Sequence, residues 1–131
     1  MMNKEFIPYE QALELKELGF IDRCLGYYGK GPYGEYIRYG HHGLANNDMF
    51  ISLDKKKQHT DLAAAPLYQQ AFKWFREKHG YAGIPNPFGY ELLDMDDINY
   101  EWVCFFEEVS NNYEEAELAC LKKLIEIVKN K

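Results

Sequence analysis

The last twenty residues, 112–131, constrain the fold most, because they have the pattern of one amphipathic helix with a wide apolar arc. At about 100° per residue, apolar side chains cover a little over half of the circumference, namely Ala116, Leu118, Cys120, Leu121, Leu124, Ile125, Ile127 and Val128. Such an arc predicts a helix that packs against more than one neighbouring element. Asn112 and Glu115 have capping-box spacing, which predicts where the helix begins.

Two further helices are predicted at residues 8–18 and about 66–79. In the first, Pro8 suits the N1 position and Gly19 the left-handed position after the last turn. In the second, one arc is apolar and aromatic, the opposite arc is polar, and Gly80 follows the last residue. Both patterns are typical of helices that pack one face against a sheet.

The strand candidates are short and come in two groups. Residues 24–28 and 35–39 flank the turn Gly29-Lys30-Gly31-Pro32, which predicts a hairpin, and residues 49–53 could add a third strand before a surface loop at 55–61. After the breaker-rich stretch 83–87, residues 88–93 and 100–109 form the second group, joined by an acidic turn at 94–97. The later strand is apolar on both faces, which predicts a central position.

Together these elements predict a single α+β domain in the order α-ββ(β)-α-ββ-α, with helices packed on one face of a mainly antiparallel sheet. A length of 131 residues with 47% hydrophobic content suits one core over residues 1–131. We find no apolar leader and no apolar run of the roughly 20 residues that span a bilayer. The three cysteines form no CxxC pair, so we expect a reducing, cytoplasmic compartment.

Motifs for catalysis, metals or cofactors are missing at the sequence level. Lys30 is not followed by the Ser or Thr of a phosphate loop, and the acidic turn has Ile98 where a calcium loop needs a ligand. Cys24, near Arg23, is the thiol expected to react. Glu117 falls inside the apolar arc of the last helix, where burial would raise its pKa, although a glutamate in the first turn of a helix more often extends into solvent. No general base or metal ligand can be placed beside either residue. We therefore expect no enzyme activity, no catalytic residues, no cofactor and no metal.

The surplus of tyrosines in the predicted hairpin is harder to explain by packing alone. The candidate binding residues are Tyr27, Tyr28, Tyr33, Tyr36, Arg38 and Tyr39. They cannot all face one small core, so some rings should be exposed, where they offer contact area for a partner or a stacking surface for a base. Packing within the sheet remains the alternative.

Three helical segments, residues 8–20, 66–78 and 113–129, resemble a group of short uncharacterised proteins of bacteriophages and Bacteroides-type gut bacteria. This resemblance implies a phage-linked setting and no mechanism. The C-terminal half is also loosely similar in element order to double-stranded-RNA-binding domains. Where that family holds phosphate-gripping lysines, this chain has Asn112, Tyr113, Glu114 and Glu115, so the resemblance implies fold analogy alone.

Two functional hypotheses follow from these observations. The first is a small non-enzymatic protein, plausibly phage-derived, that binds a host or partner protein through its tyrosine-rich surface. The alternative is a nucleic-acid or nucleotide binder that uses the same tyrosines with Arg23, Lys30 and Arg38. The formal net charge of −6 repels phosphate backbones and makes nucleic acid the weaker candidate.

Overall fold

The computed structural model describes residues 5–32, 34–39, 47, 63–87, 89–96, 102–108 and 112–131. The chain divides into two compact units, Met1–Leu67 and Tyr68–Lys131, and each is described by itself. Both contain helices and antiparallel strands, so the predicted α+β class is confirmed. The predicted single sheet is wrong, because each unit forms a three-stranded sheet of its own. The single-domain organisation stays a prediction.

Helix α1 (Tyr9–Glu17) confirms the predicted first helix to within one residue at each end. Pro8, which lacks an N–H, precedes it in extended conformation, and Gly19 follows its last turn at φ 96°. That positive φ is open to glycine at little cost. The buried face of the helix holds Ala12 and Leu15.

The first sheet confirms the predicted hairpin and places its third strand elsewhere. Strands β1 (Gly26–Gly31) and β2 (Gly34–Tyr39) are antiparallel, and β1 also pairs with β3 (Ala63–Ala65), giving the order β2-β1-β3. The predicted turn residues Gly29-Lys30-Gly31 belong to β1, so the reversal comes later, before Gly34. The predicted strand at 49–53 and loop at 55–61 lie outside the described residues.

The alanines of β3 are fully buried because this strand packs against both β1 and α1. Asn47, itself buried, secures the strand on its other side. Its Nδ2 donates to the Phe20 carbonyl at 2.7 Å and its Oδ1 accepts from the Ala64 N–H at 2.8 Å. Two buried backbone groups are thereby satisfied by one side chain, which avoids the cost of leaving them unpaired.

In the second unit, helix α2 (Tyr68–Trp74) continues into a π-helical turn, Phe75–His79. The predicted helix at 66–79 is confirmed except at its start, because Leu67 instead forms an isolated β-bridge with Phe6 in the first unit's chain segment. Gly80 ends the turn at φ 75°. The wider π turn brings the His79 ring to 4.9 Å from the Trp74 ring, edge to face.

The second sheet has the order β4-β5-β6, formed by β4 (Tyr81–Asn86), β5 (Gly89–Asp94) and β6 (Trp102–Glu108). Reading residues 83–87 as a connection was wrong, since most of them belong to β4. Among the described strands β4 pairs with β5 alone, and a proline such as Pro85 is tolerated at a sheet edge. The predicted central position of the last strand is also wrong: β5 is the strand paired on both sides.

Helix α3 (Tyr113–Lys129) confirms the predicted C-terminal helix and its cap. The Asn112 Oδ1 accepts the Glu115 N–H at 2.8 Å. The helix packs on α2, β4 and β5, and its buried side chains are Ala116, Cys120, Leu121, Leu124 and Ile125. Helix α3 and strand β4 approach closely at Gly83, where a Cβ would lie 2.7 Å from the Cys120 Sγ and 3.0 Å from a Leu124 methyl group.

Candidate functional site

The register of β1 and β2 separates the predicted binding residues into two sets. Tyr27 pairs with Arg38, and Tyr36 pairs with Gly29, so Tyr27, Tyr36 and Arg38 occupy one face of the sheet. Tyr28 pairs with Ile37 and Tyr39 with Gly26 on the alternate positions. The structure thus brings three of the six candidates together and separates them from two others.

We call Tyr27, Tyr36 and Arg38 the tyrosine–arginine face. The other paired positions on this side of β1 and β2 are Gly29, Gly31 and Gly34, so these three residues supply all of its side chains. Tyr36 is 39% exposed, Arg38 is exposed and Tyr27 is half-buried. Ala64 of β3 continues the same side and is buried, so the exposed part lies over β1 and β2.

Arg38 and Tyr36 are in contact with each other on this face. The guanidinium carbon lies 5.3 Å from the centre of the Tyr36 ring, within the range of a cation–π interaction. The two residues are two positions apart on β2, which brings their side chains to the same side. The pair therefore presents an aromatic surface and a positive charge next to each other.

Tyr28, by contrast, has a structural position. Its hydroxyl donates to the Ile7 carbonyl at 2.7 Å, and its ring meets the Tyr9 ring edge to face at 5.8 Å. Burial raises the pKa of the Tyr28 hydroxyl above its ordinary value. Tyr33 lies outside the described residues, and Tyr39 is placed by its backbone register alone.

The cations that the nucleic-acid alternative would use do not gather at this face. Lys30 pairs with Glu35 and takes the same alternate positions as Tyr28, so it does not share the register positions of Arg38. Arg23 lies before β1, exposed, in the connection that follows α1. Arg38 is thus the one cation that the register places on the tyrosine–arginine face.

Two exposed aliphatic residues next to the hairpin were not predicted as binding residues. Ile21 is 50% exposed and Leu25, two residues before Tyr27, is 52% exposed. Phe20 and Cys24, beside them in the chain, are buried. In the sequence, the polar pair Asp22-Arg23 stands alone between apolar residues. No helical or strand periodicity there indicates which of the apolar side chains are exposed to solvent.

The candidate groups for catalysis lie at buried or half-buried positions. Cys24, the thiol expected to react, is buried: the residue is 1% exposed and its Sγ lies 3.5 Å from the Asp22 carbonyl oxygen. Cys120 is buried beneath Gly83. Burial, with a smaller effect of Glu114, raises the pKa of Glu117. Burial and then Lys131 lower the pKa of His79, whose neighbours are Trp74 and Phe75.

Within the described parts of the chain, no group of three or more His, Cys, Asp or Glu side chains is arranged to hold a metal ion. The described helices also include none that is long and apolar enough to cross a membrane. No protein-family model matches the sequence, and comparisons with curated proteins and with solved structures give no significant match. The site is therefore interpreted from its own geometry.

Proposed function

We propose that this protein is a non-enzymatic binding protein whose tyrosine–arginine face contacts another protein. The observation that carries the proposal is the grouping of Tyr27, Tyr36 and Arg38 on one side of the first sheet, with glycine at the other paired positions. Tyrosine and arginine are the residue types that most often anchor protein interfaces. A cytoplasmic setting and a phage-linked role in binding a host protein belong to the same proposal.

The contact between Arg38 and Tyr36 supports this role. Arg38 rests against the Tyr36 ring, and a tyrosine has few rotatable bonds to freeze on binding. Side chains that are partly ordered before binding lose less conformational entropy in the complex. The glycines at the other paired positions add no side chains on that side of β1 and β2.

Nucleic-acid binding through the same residues has less support. Affinity for a phosphate backbone comes from neutralising several phosphates at once, and the face supplies a single cation, Arg38. At the start of α3, where lysines would be needed for the RNA grip of the analogous fold, Glu114 and Glu115 are exposed. These observations favour a protein partner.

The test uses Tyr36→Ala with Tyr113→Ala as a matched control, since Tyr113 is a tyrosine of similar exposure, 45%, at the start of α3. Each purified variant and the wild type would capture proteins from a bacterial lysate, and the affinity for the retained partner would be measured with purified components. We expect Tyr36→Ala to weaken binding by roughly thirtyfold, about 2 kcal/mol, and Tyr113→Ala to leave it unchanged.

Equal affinities for the two variants would contradict the proposal. Binding of a labelled 20-nucleotide DNA or RNA that needs Tyr36 and weakens steeply with added salt would instead establish the nucleic-acid alternative. Circular dichroism of each variant checks that the fold is intact before binding is compared.

A further inference from the structure

The charge on the tyrosine–arginine face indicates which kind of peptide it recognises, an inference that rests on the proposed protein-binding role. Arg38 is exposed, and its guanidinium group lies over the Tyr36 ring in a cation–π contact. A cation–π contact of this kind does not consume the N–H groups of the guanidinium, which carries five donors in a planar fork. Those donors can still bind a planar acceptor with two oxygens.

An exposed aliphatic side chain lies close to the tyrosine–arginine face along the chain. Leu25 comes two residues before Tyr27, and its side chain is 52% exposed. The chain before Leu25 is attached to the rest of the unit at two points: Cys24 is buried, and the Phe20 carbonyl accepts a hydrogen bond from Asn47 at 2.7 Å. An exposed aliphatic side chain on an anchored backbone is suited to contact with another apolar side chain.

We infer that this surface binds a peptide segment in which an Asp or Glu side chain stands next to large apolar side chains. The carboxylate would accept two hydrogen bonds from Arg38, and the apolar groups would pack on Tyr36 and Leu25. Carboxylate and guanidinium match in geometry and charge, which makes such pairs stronger than neutral hydrogen bonds.

The overall acidity of the chain does not oppose this choice. At physiological ionic strength, charges are screened over about 8 Å, so the local cation decides which group can be bound. A basic peptide would be repelled by Arg38 at the point of contact. A phosphate chain would find one cation where its affinity needs several.

The experiment selects binders for the wild-type protein from a displayed library of random 12-residue peptides. We expect enrichment of peptides with Asp or Glu beside aromatic or aliphatic residues. The strongest of them is then synthesised in two forms, with the acidic residue intact and changed to its amide, and each is titrated against wild type, Arg38→Gln and the control Arg76→Gln. Arg76 is an exposed arginine in the π-helical turn.

Changing the peptide carboxylate to an amide should weaken binding by about tenfold or more to the wild type and to Arg76→Gln, because both proteins retain Arg38. With Arg38→Gln the acid and amide forms should bind alike, because the partner of the carboxylate is gone. An acid-to-amide difference that persists in Arg38→Gln, or a selection without acidic residues, would overturn the inference.

The variant Tyr36→Ala separates the two proposals. If it abolishes peptide binding while Arg38→Gln leaves the preference for acid intact, the face binds protein but not through a carboxylate. If Tyr36→Ala and Arg38→Gln both bind every selected peptide as wild type does, the proposed function itself fails.

Discussion

Glycine has opposite uses in the two units of this protein. In the first unit, Gly29, Gly31 and Gly34 leave half of the paired positions on one face of β1 and β2 without side chains, and two tyrosines and an arginine occupy the other half. In the second unit, Gly83 lets α3 approach β4 so closely that a single Cβ would collide with Cys120. Glycine thus leaves side-chain positions empty on a sheet face in one unit and allows close packing of a core in the other.

The charges are distributed just as unevenly. Residues 1–67 carry eight basic and nine acidic side chains, whereas residues 68–131 carry seven basic and twelve acidic ones, so nearly all of the net charge of −6 belongs to the second unit. The near-neutral unit is the one with the tyrosine–arginine face. The comparison teaches that the average charge of the chain says little about the surface proposed to bind.

The largest expected effect is on the second unit's core. Leu124→Ala should lower the free energy of unfolding by about 2–5 kcal/mol, because Leu124 is fully buried on the inner face of α3. Leu25→Ala, the same change at the exposed leucine of the first unit, should stay within about 0.5 kcal/mol of wild type. Urea denaturation of both variants measures the contrast, and similar losses would show that the two leucines do not differ as described.

The next effect distinguishes the two uses of glycine. Gly83→Ala should cost about 1–3 kcal/mol, as expected for overpacking. Adding Cys120→Ala should recover part of that loss in a double-mutant cycle, since the colliding Sγ is removed.

Gly34→Ala is the matched change in the first unit. Gly34 has φ 109°, and among the described residues no atom beyond its chain neighbours lies within 4 Å of the place a Cβ would take. The cost of the substitution therefore comes from backbone conformation, about 1–2 kcal/mol. The same Cys120→Ala background should not alter it. Rescue of Gly34→Ala, or no rescue of Gly83→Ala, would contradict the two explanations.

The smallest effect is a pH dependence in the second unit. The pKa of folded His79 lies below its ordinary value of 6.5, through burial and then Lys131, so protonation favours the unfolded chain. The stability that His79 contributes is present above pH 6.5 and is lost as the pH falls through that value toward the folded pKa. In the first unit, burial raises the pKa of the Tyr28 hydroxyl, so that group titrates far above this pH range.

Urea denaturation at pH 7.5 and 5.5 should show a smaller loss in His79→Gln than in wild type. Lys131→Ala should raise the pKa of His79 in an NMR titration, because a neighbouring positive charge is removed. A folded pKa at or above 6.5 in the wild-type titration would refute the prediction.

The helices could be predicted from the sequence because helix formation is governed by local periodicity and by caps. Asn112 with Glu115 marked the start of α3, and its apolar arc indicated all five of its buried side chains. The hairpin was predictable for the same reason, since its strands are adjacent in the chain. The strand β4 was missed because Gly83 and Pro85 are poor strand residues when judged by local preference.

The sequence by itself determined the α+β class, the helices and their buried faces, and the presence of more tyrosines than a core can hold. Only the tertiary structure decided that the strands form two sheets, that β4 accepts proline at an edge, and which tyrosines share a face. The reason is physical: caps and periodicity act over a few residues, whereas strand pairing and burial depend on residues far apart in the chain. Tyr36 and Tyr28 are the same residue type and differ in environment because the pairing of β1 with β2 places them on opposite faces of the sheet.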